Sequence, residues 1–332
     1  MSGYGRFDFF LKRVESLLLT AVGTTDPALW LYENDARTSL FMLEALSRLY
    51  AEQNNSKKFT KLKEQFKLLE DFLGAIDHYD HYAKRYASSP KVPESVQSYM
   101  RHHADVMLEK FNQILIEEGW IGNGSHRIQK IKKTLQGINW DSEKKQVKSL
   151  KKLYAKSIDS IKDFVIEHGN PFEDMELHVH EVRRDLRWLS IFPHALMGQI
   201  QLVPNSISAS LTEKYMTSEV LSSKFNVFPE YGDNESVLML DKNCFFALSW
   251  MISEIGRLKD EGLEFFALKD ALKDAEHMND LDASIKAFEI LNWESTKVNE
   301  ILIYASQICK EFVNSGILDL LLFGMAEIKK FR

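Results

Sequence analysis

The chain contains few residues that interrupt a helix. Only seven Pro and 15 Gly are spread over its 332 residues. Because Pro and Gly are the residues that most often end helices, their scarcity predicts long helices joined by short turns. Hydrophobic residues make up 45% of the chain and 21 residues are Phe, which is enough for a sizeable core. We therefore expect an all-α protein.

The helix breaks predict two related antiparallel helical bundles packed into one body. Thr25-Asp26-Pro27 is typical of a helix start with Pro at the first helical position. Gly169-Asn170-Pro171 is typical of a helix stop. We divide the chain into an N-terminal helix over residues 1–26, a first bundle unit over 27–168 and a second unit over 169–332.

Two parts of the second unit are less regular in sequence. Residues 203–242 have the weakest helical pattern, and we expect either a short hairpin or an irregular insertion there. The apolar run from Ile317 to Met325 is too short to span a membrane and contains Asp319. We predict that it forms a buried helix, and no membrane contact is expected.

One helical segment, His178–Leu189, carries a stripe of positive charge. Its cationic residues recur at i, i+3, i+4 and i+7, which places them on one face of an α-helix. The four residues are His180, Arg183, Arg184 and Arg187. Apolar residues follow a neighbouring stripe and predict the buried side, namely Leu177, Val182, Leu186 and Leu189. Such a face suits a phosphate-rich anion, because guanidinium groups pair with phosphate oxygens in a fork.

A second basic run extends from His126 to Lys162. Within it Lys145, Lys148 and Lys152 fall at i, i+3 and i+7, so they share a helix face. If this face meets the arginine stripe, the two form one basic groove on a protein whose net charge is −6. The alternative is a solvated lysine face with no ligand.

Two stretches of the chain resemble each other. Residues 66–80 and 247–260 each contain an apolar helix followed by Leu73-Gly74 or Ile255-Gly256 and then a polar and an acidic residue. A helix bearing arginine precedes each stretch, with Arg37 before the first and the cationic stripe before the second. This pattern predicts a duplicated helical unit.

The arrangement resembles the conserved histidine α-helical domain (CHAD) family. Each unit in that family carries a His-x-x-Arg-x-x-x-basic-basic-x-Arg pattern, followed downstream by a helix with Leu-Gly. His180, Arg183 and Arg187 match the start of the pattern, whereas Trp188 and Ser190 occupy later basic positions. The resemblance covers about residues 27–330 and implies a non-enzymatic binder of inorganic polyphosphate, with basic helices that line a central channel.

The first unit departs further from this pattern. Arg37 matches the first arginine, but Asn34 replaces the histidine, and Phe41 and Met42 occupy the paired basic positions. The leading expectation is binding of polyphosphate or another phosphate-rich anion, with no cofactor. The alternative is a helical scaffold that binds a protein partner and has lost the ligand.

A metal-dependent helical enzyme is the third hypothesis. Asp77 and His81 are four residues apart, and His78, His102 and His103 are nearby in sequence. A helical di-iron site would need Glu-x-x-His pairs, and the chain contains no such pair. No phosphate loop or nucleophile elbow is present either, so the sequence predicts no metal and no catalysis.

Composition argues against a nucleic-acid binder and favours a cytoplasmic protein. A general nucleic-acid-binding domain is basic overall, whereas this chain is acidic, and few aromatic residues are interleaved with its lysines. Cys244 and Cys309 lie far apart without metal spacing. We expect both to be buried, reduced thiols, as in a cytoplasmic protein.

Overall fold

The computed structural model describes residues 2–52, 56–122 and 124–327. Within these ranges the chain forms helices throughout and one small sheet, which confirms the all-α class. The helices are α1 (Gly3–Ala21), α2 (Pro27–Glu33), α3 (Ala36–Ala51), α4 (Ser56–Ala87), α5 (Glu94–Glu117), α6 (Arg127–Gln136), α7 (Glu143–His168), α8 (Glu181–Ala195), α9 (Ser206–Thr212), α10 (Ser218–Ser222), α11 (Lys242–Ala275), α12 (Asp280–Leu291), α13 (Lys297–Asn314) and α14 (Ile317–Leu320). The strands are β1 (Ile200–Val203), β2 (Ser236–Asp241) and β3 (Leu322–Glu327).

The helix starts follow the capping signals of the sequence. The Asp26 side chain accepts a hydrogen bond from the Leu29 amide, and Pro27 is the first residue of α2. Asn279 caps α12 in the same way, by accepting from the Asp282 amide. Each cap satisfies an amide that the helix itself leaves unpaired.

Four helices form the centre of the molecule. α3 packs along α4, α8 packs along α11, and α3 and α8 pack against each other. The main core runs without interruption from the N-terminal helix to the last helices, and it includes Phe7 of α1, Leu43 of α3 and Leu186 of α8. The long helices α4 and α11 extend beyond this core.

A second, smaller core lies where the long helices meet the elements that follow them. Tyr82 and Tyr86 of α4 pack with Phe265 and Leu268 of α11, together with residues of α5 and α12. Arg85 and Glu264 form an ion pair between α4 and α11 close by. The two long helices are therefore held together outside the main core as well as within it.

Residues 203–242 form the irregular insertion, and the hairpin expected as its alternative is wrong. The segment contains short helices, and β2 pairs in parallel with β1 and antiparallel with β3. Val237, Leu238 and Leu240 of β2 are all buried, so this strand has no solvent face. A strand buried on both faces has a continuous apolar sequence, which explains why alternation did not reveal its partners.

The buried helix predicted for Ile317–Met325 is also wrong. Only Ile317–Leu320 is helical, and the chain then enters β3, where Leu238 faces Met325 and Leu240 faces Leu322. A short apolar run fits a buried helix or a buried strand equally well from periodicity alone. In the described ranges, no helix has the length and hydropathy needed to cross a membrane.

Arg6 of α1 is completely buried and joins distant parts of the chain. Its guanidinium donates to the Leu196 carbonyl at 3.1 Å, to the Tyr50 hydroxyl at 2.9 Å, to Gln146 Oε1 at 2.8 Å and to Asn234 Oδ1 at 3.0 Å. Leu196 follows α8, Tyr50 lies on α3, Gln146 lies on α7 and Asn234 precedes β2. One side chain therefore connects four elements to α1.

We predict that Arg6→Met lowers the free energy of unfolding by about 3 kcal/mol, because several buried acceptors lose their donor at once. Urea denaturation followed by circular dichroism measures this loss. Arg13→Met is the matched control on the same helix, since Arg13 is exposed, and we expect a change within about 0.5 kcal/mol. Equal effects of the two substitutions would contradict the role of Arg6.

Candidate functional site

The segment that carries the cationic stripe is not one continuous α-helix. Met175–His180 forms a π-helical turn, and α8 begins at Glu181. The Asp174 side chain caps this turn by accepting from the amides of Glu176 and Leu177. A π-turn holds more residues than an α-turn and rotates the side chains that precede α8.

This rotation corrects the predicted apolar stripe at its first position. Leu177 was expected to be buried, but its side chain is 69% exposed. Met175 and Val179 are buried in its place, and the Met175 side chain lies directly against Gly262 of α11. Val182, Leu186 and Leu189 are buried as predicted.

The cationic stripe divides into two faces. Arg184 is exposed and forms an ion pair with Glu181, one turn away on the solvent side. His180 is half-buried, and its Nδ1 lies 2.5 Å from a carboxylate oxygen of Glu176. Both residues therefore have an acid partner within the same helical segment.

Arg183 points inward against the neighbouring helix. A Cβ atom on Gly256 would lie 2.8 Å from Arg183 Nε, so only glycine at that position of α11 lets the side chain pass. Arg183 Nε is buried and has no hydrogen-bond partner among the described residues. Burial lowers the pKa of this guanidinium, and Asp260 opposes the change only in part.

Arg187 lies one turn further along the same inward face. Its guanidinium carbon is 4.5 Å from the centre of the Phe41 ring on α3, a cation–π contact. Burial, reinforced by Arg183 and Arg37, lowers the pKa of Arg187 to about 10. No acid in the described part of the chain forms an ion pair or hydrogen bond with Arg187.

Arg37 approaches the same region from α3. It donates to Glu70 at 2.7 Å and to Asp77 at 3.3 Å, both on α4, and its guanidinium carbon lies 5.4 Å from the Phe41 ring. A Cβ atom on Gly74 would lie 2.7 Å from Arg37 Nη2. Arg37 on Gly74 thus repeats the contact of Arg183 on Gly256.

These three side chains form one group, which we call the arginine cluster: Arg37, Arg183 and Arg187. α3 and α8 pack together and bring the cluster to the centre of the four-helix arrangement. Glu70 is the buried acid beside it, with a side chain only 8% exposed. Because Arg183 and Arg187 form no ion pair with an acid in the described structure, the cluster has an excess of positive charge in a partly desolvated place.

The predicted lysines lie on a different surface. Lys145, Lys148 and Lys152 are exposed on α7. The opposite face of this helix is buried against the core, and the Tyr154 hydroxyl donates to the Leu189 carbonyl of α8. The packing of α7 therefore turns these lysines away from α8, so they do not join the arginine cluster in one groove.

The residues considered for a metal site have other contacts. Asp77 accepts hydrogen bonds from Arg37 and from the Tyr32 hydroxyl, and the His81 ring lies edge-on to Tyr82. Among the residues that the structure describes, no group of three His, Cys, Asp or Glu side chains is placed to hold a metal ion.

Sequence reasoning did not identify the residues that surround the arginines. Glu70 lies four residues before Gly74, and Phe41 lies four residues after Arg37, so each shares a helix face with its neighbour. This spacing was the available signal for both. Phe41 was noted only as a departure from the family pattern, whereas in the structure it is the ring on which Arg187 rests.

Comparison with known proteins assigns the chain to no family. No protein-family model matches it, and no curated protein matches it significantly. Function has to be inferred from the arginine cluster itself.

We predict that Arg187→Met raises the free energy of unfolding by about 1 kcal/mol in buffers without phosphate. The folded protein holds the Arg187 proton less tightly than the unfolded chain does, so the protonated side chain costs stability at neutral pH. Urea denaturation measures the gain. Arg184→Met is the matched control, because Arg184 is exposed, and it should change stability by less than about 0.5 kcal/mol. A loss of stability in Arg187→Met would indicate a purely structural arginine.

Proposed function

We propose that the protein binds a phosphate-rich anion, inorganic polyphosphate or a related oligophosphate, through the arginine cluster, and that it does so without catalysing a reaction. The observation that carries this proposal is the pair of half-buried arginines, Arg183 and Arg187, neither of which forms an ion pair or hydrogen bond with an acid in the described structure; Asp260 and Glu70 offset their charges only in part. A desolvated cation without a counter-ion costs free energy, and an anionic ligand removes that cost on binding.

The chemistry of the cluster favours phosphate over a single carboxylate. Three guanidinium groups supply several donors, and a phosphoryl group offers oxygens that accept forked hydrogen bonds. Each such contact is stronger in a partly desolvated site than on an open surface. Glu70 and Asp77 already accept hydrogen bonds from Arg37. Arg183 and Arg187 are therefore the groups that a ligand would contact first.

The matching contacts of Arg37 on Gly74 and Arg183 on Gly256 support the proposed duplication. We infer that α3–α4 and α8–α11 are two copies of one helical unit, as in the CHAD family that the sequence resembles. In this interpretation each glycine is retained because the arginine crosses its helix there. The free, buried thiols Cys244 and Cys309 are consistent with the cytoplasmic location that we propose.

We predict that the double variant Arg183→Ala with Arg187→Ala binds tripolyphosphate at least about tenfold more weakly than the native protein, because each lost charged contact is worth ~1.5 kcal/mol or more. Isothermal titration calorimetry in phosphate-free buffer measures the affinity. Raising the salt concentration should weaken native binding steeply. Lys148→Ala with Lys152→Ala is the matched control and should bind like the native protein. Unchanged binding in the arginine variant would refute the proposal.

Binding should also depend on pH in an unusual range. Because the pKa of Arg187 is lowered to about 10, this side chain loses its charge as the pH rises towards that value. We predict that tripolyphosphate affinity is constant between pH 7.5 and 8.5, values chosen at least ~1.5 units below that titration, and falls as the pH approaches 10. The variant Arg187→Met should lose this dependence. A fall of the same size in that variant would assign the titration to other groups, such as the lysines.

A further inference from the structure

We infer that the arginine cluster takes a compact oligophosphate, such as pyrophosphate or tripolyphosphate, and does not hold a long polyphosphate chain. This inference rests on the proposed function and concerns which phosphate compound the same site accepts. The cluster offers three guanidinium groups, which are close enough to act on one another, and each can pair with phosphate oxygens. What limits the ligand is the set of side chains at either end of the cluster.

Aromatic rings close one end. Beyond Arg187, the Phe41 ring lies with its centre 6.3 Å from that of Trp188, in an edge-on contact between α3 and α8. Trp188 is only 9% exposed and stacks on Phe192 at 6.0 Å. Aromatic carbon surface therefore adjoins the arginine cluster in this direction.

The next arginine at this end is already neutralised. Arg48 forms an ion pair with Glu44 at 2.8 Å, and its guanidinium carbon lies 4.3 Å from the Trp188 ring. The Glu44 side chain is 2% exposed. Because this carboxylate is held next to Arg48 in the protein interior, Arg48 is not available to extend the arginine cluster along α3.

Acids surround the other end. Asp77 lies beside Arg37 and Asp260 acts on Arg183, and their side chains are 55% and 70% exposed. Glu176 is bonded to His180 nearby on the π-turn. Each of these carboxylates already has a cation partner: Asp77 pairs with Arg37, Asp260 with Lys259 and Glu176 with His180. A chain of phosphates that left the cluster on this side would have to compete with these carboxylates for the same cations.

The test is a chain-length series with orthophosphate, pyrophosphate, tripolyphosphate and long-chain polyphosphate, titrated calorimetrically at one ionic strength. We expect affinity to rise about tenfold or more from orthophosphate to tripolyphosphate and then to level off, once it is corrected for the number of sites on each chain. Affinity that keeps rising with chain length would overturn this inference and leave the proposed function intact. Absence of binding to every member of the series would refute the proposed function itself.

A charge variant tests the acidic boundary directly. Asp77→Asn with Asp260→Asn should allow long-chain polyphosphate to bind at least about tenfold more tightly relative to tripolyphosphate, because two carboxylates are removed at that end and Lys259 loses its acid partner. Both residues are exposed, so the fold should persist, and circular dichroism verifies this. Asp159→Asn with Asp270→Asn is the control of equal net charge, since these acids are also exposed. An equal gain in the control would show that only net charge matters and would overturn the boundary.

Discussion

The buried guanidinium of Arg6 is the contact on which the arrangement of the central helices depends. It donates to the Tyr50 hydroxyl in the last turn of α3 and to the Leu196 carbonyl directly after α8. α3 and α8 carry the arginine cluster, so a single side chain of α1 fixes their carboxyl-terminal ends relative to each other. The Tyr50 hydroxyl donates a hydrogen bond to Gln146 Oε1 of α7 at 3.0 Å, which extends the network to a third helix. With one end of the helix pair fixed in this way, the spacing between Arg37 and Arg187 at the other end is set by the packing of Phe41.

Arg6 and Arg187 show how the same side chain serves two purposes. Arg6 is surrounded by acceptors placed at hydrogen-bonding distance, and its burial therefore stabilises the fold. Arg187 is half-buried on a phenyl ring beside two other arginines, and its pKa falls as a result. A protein gains nothing in stability from the second arrangement, because a hydrophobic side chain of similar size would pack there at lower cost. A local loss of stability of this kind, caused by the buried charge of Arg187, is typical of a binding site.

Much of the fold could be predicted from the sequence because helix signals are local. Asp26-Pro27 starts α2 as expected, and α4 continues through Gly74. The predictions were wrong where the local structure depends on contacts between residues that are distant in the chain. β2 pairs with β1, which precedes it in the chain, and with β3, which follows it after the long helices α11 to α13. The π-turn depends on Met175 packing against Gly262, a contact that spacing along the chain cannot reveal.

The candidate site was predictable only in part for a similar reason. Periodicity placed Arg183, Arg184 and Arg187 on one helix face. This face lies at the boundary between core and solvent, so Arg184 points outward whereas Arg183 and Arg187 point inward. Periodicity could not show that the lysines of α7 face away from α8, because their direction depends on the packing of Tyr154 against α8. The residues that differ from the family pattern are the most informative in the structure. Phe41 and Trp188 stand where the resembling pattern has cations, and their rings contact Arg187 and Arg48. Because rings bury these guanidinium groups and add no charge, the row of cations is short, and this favours a small anion as the ligand that we propose.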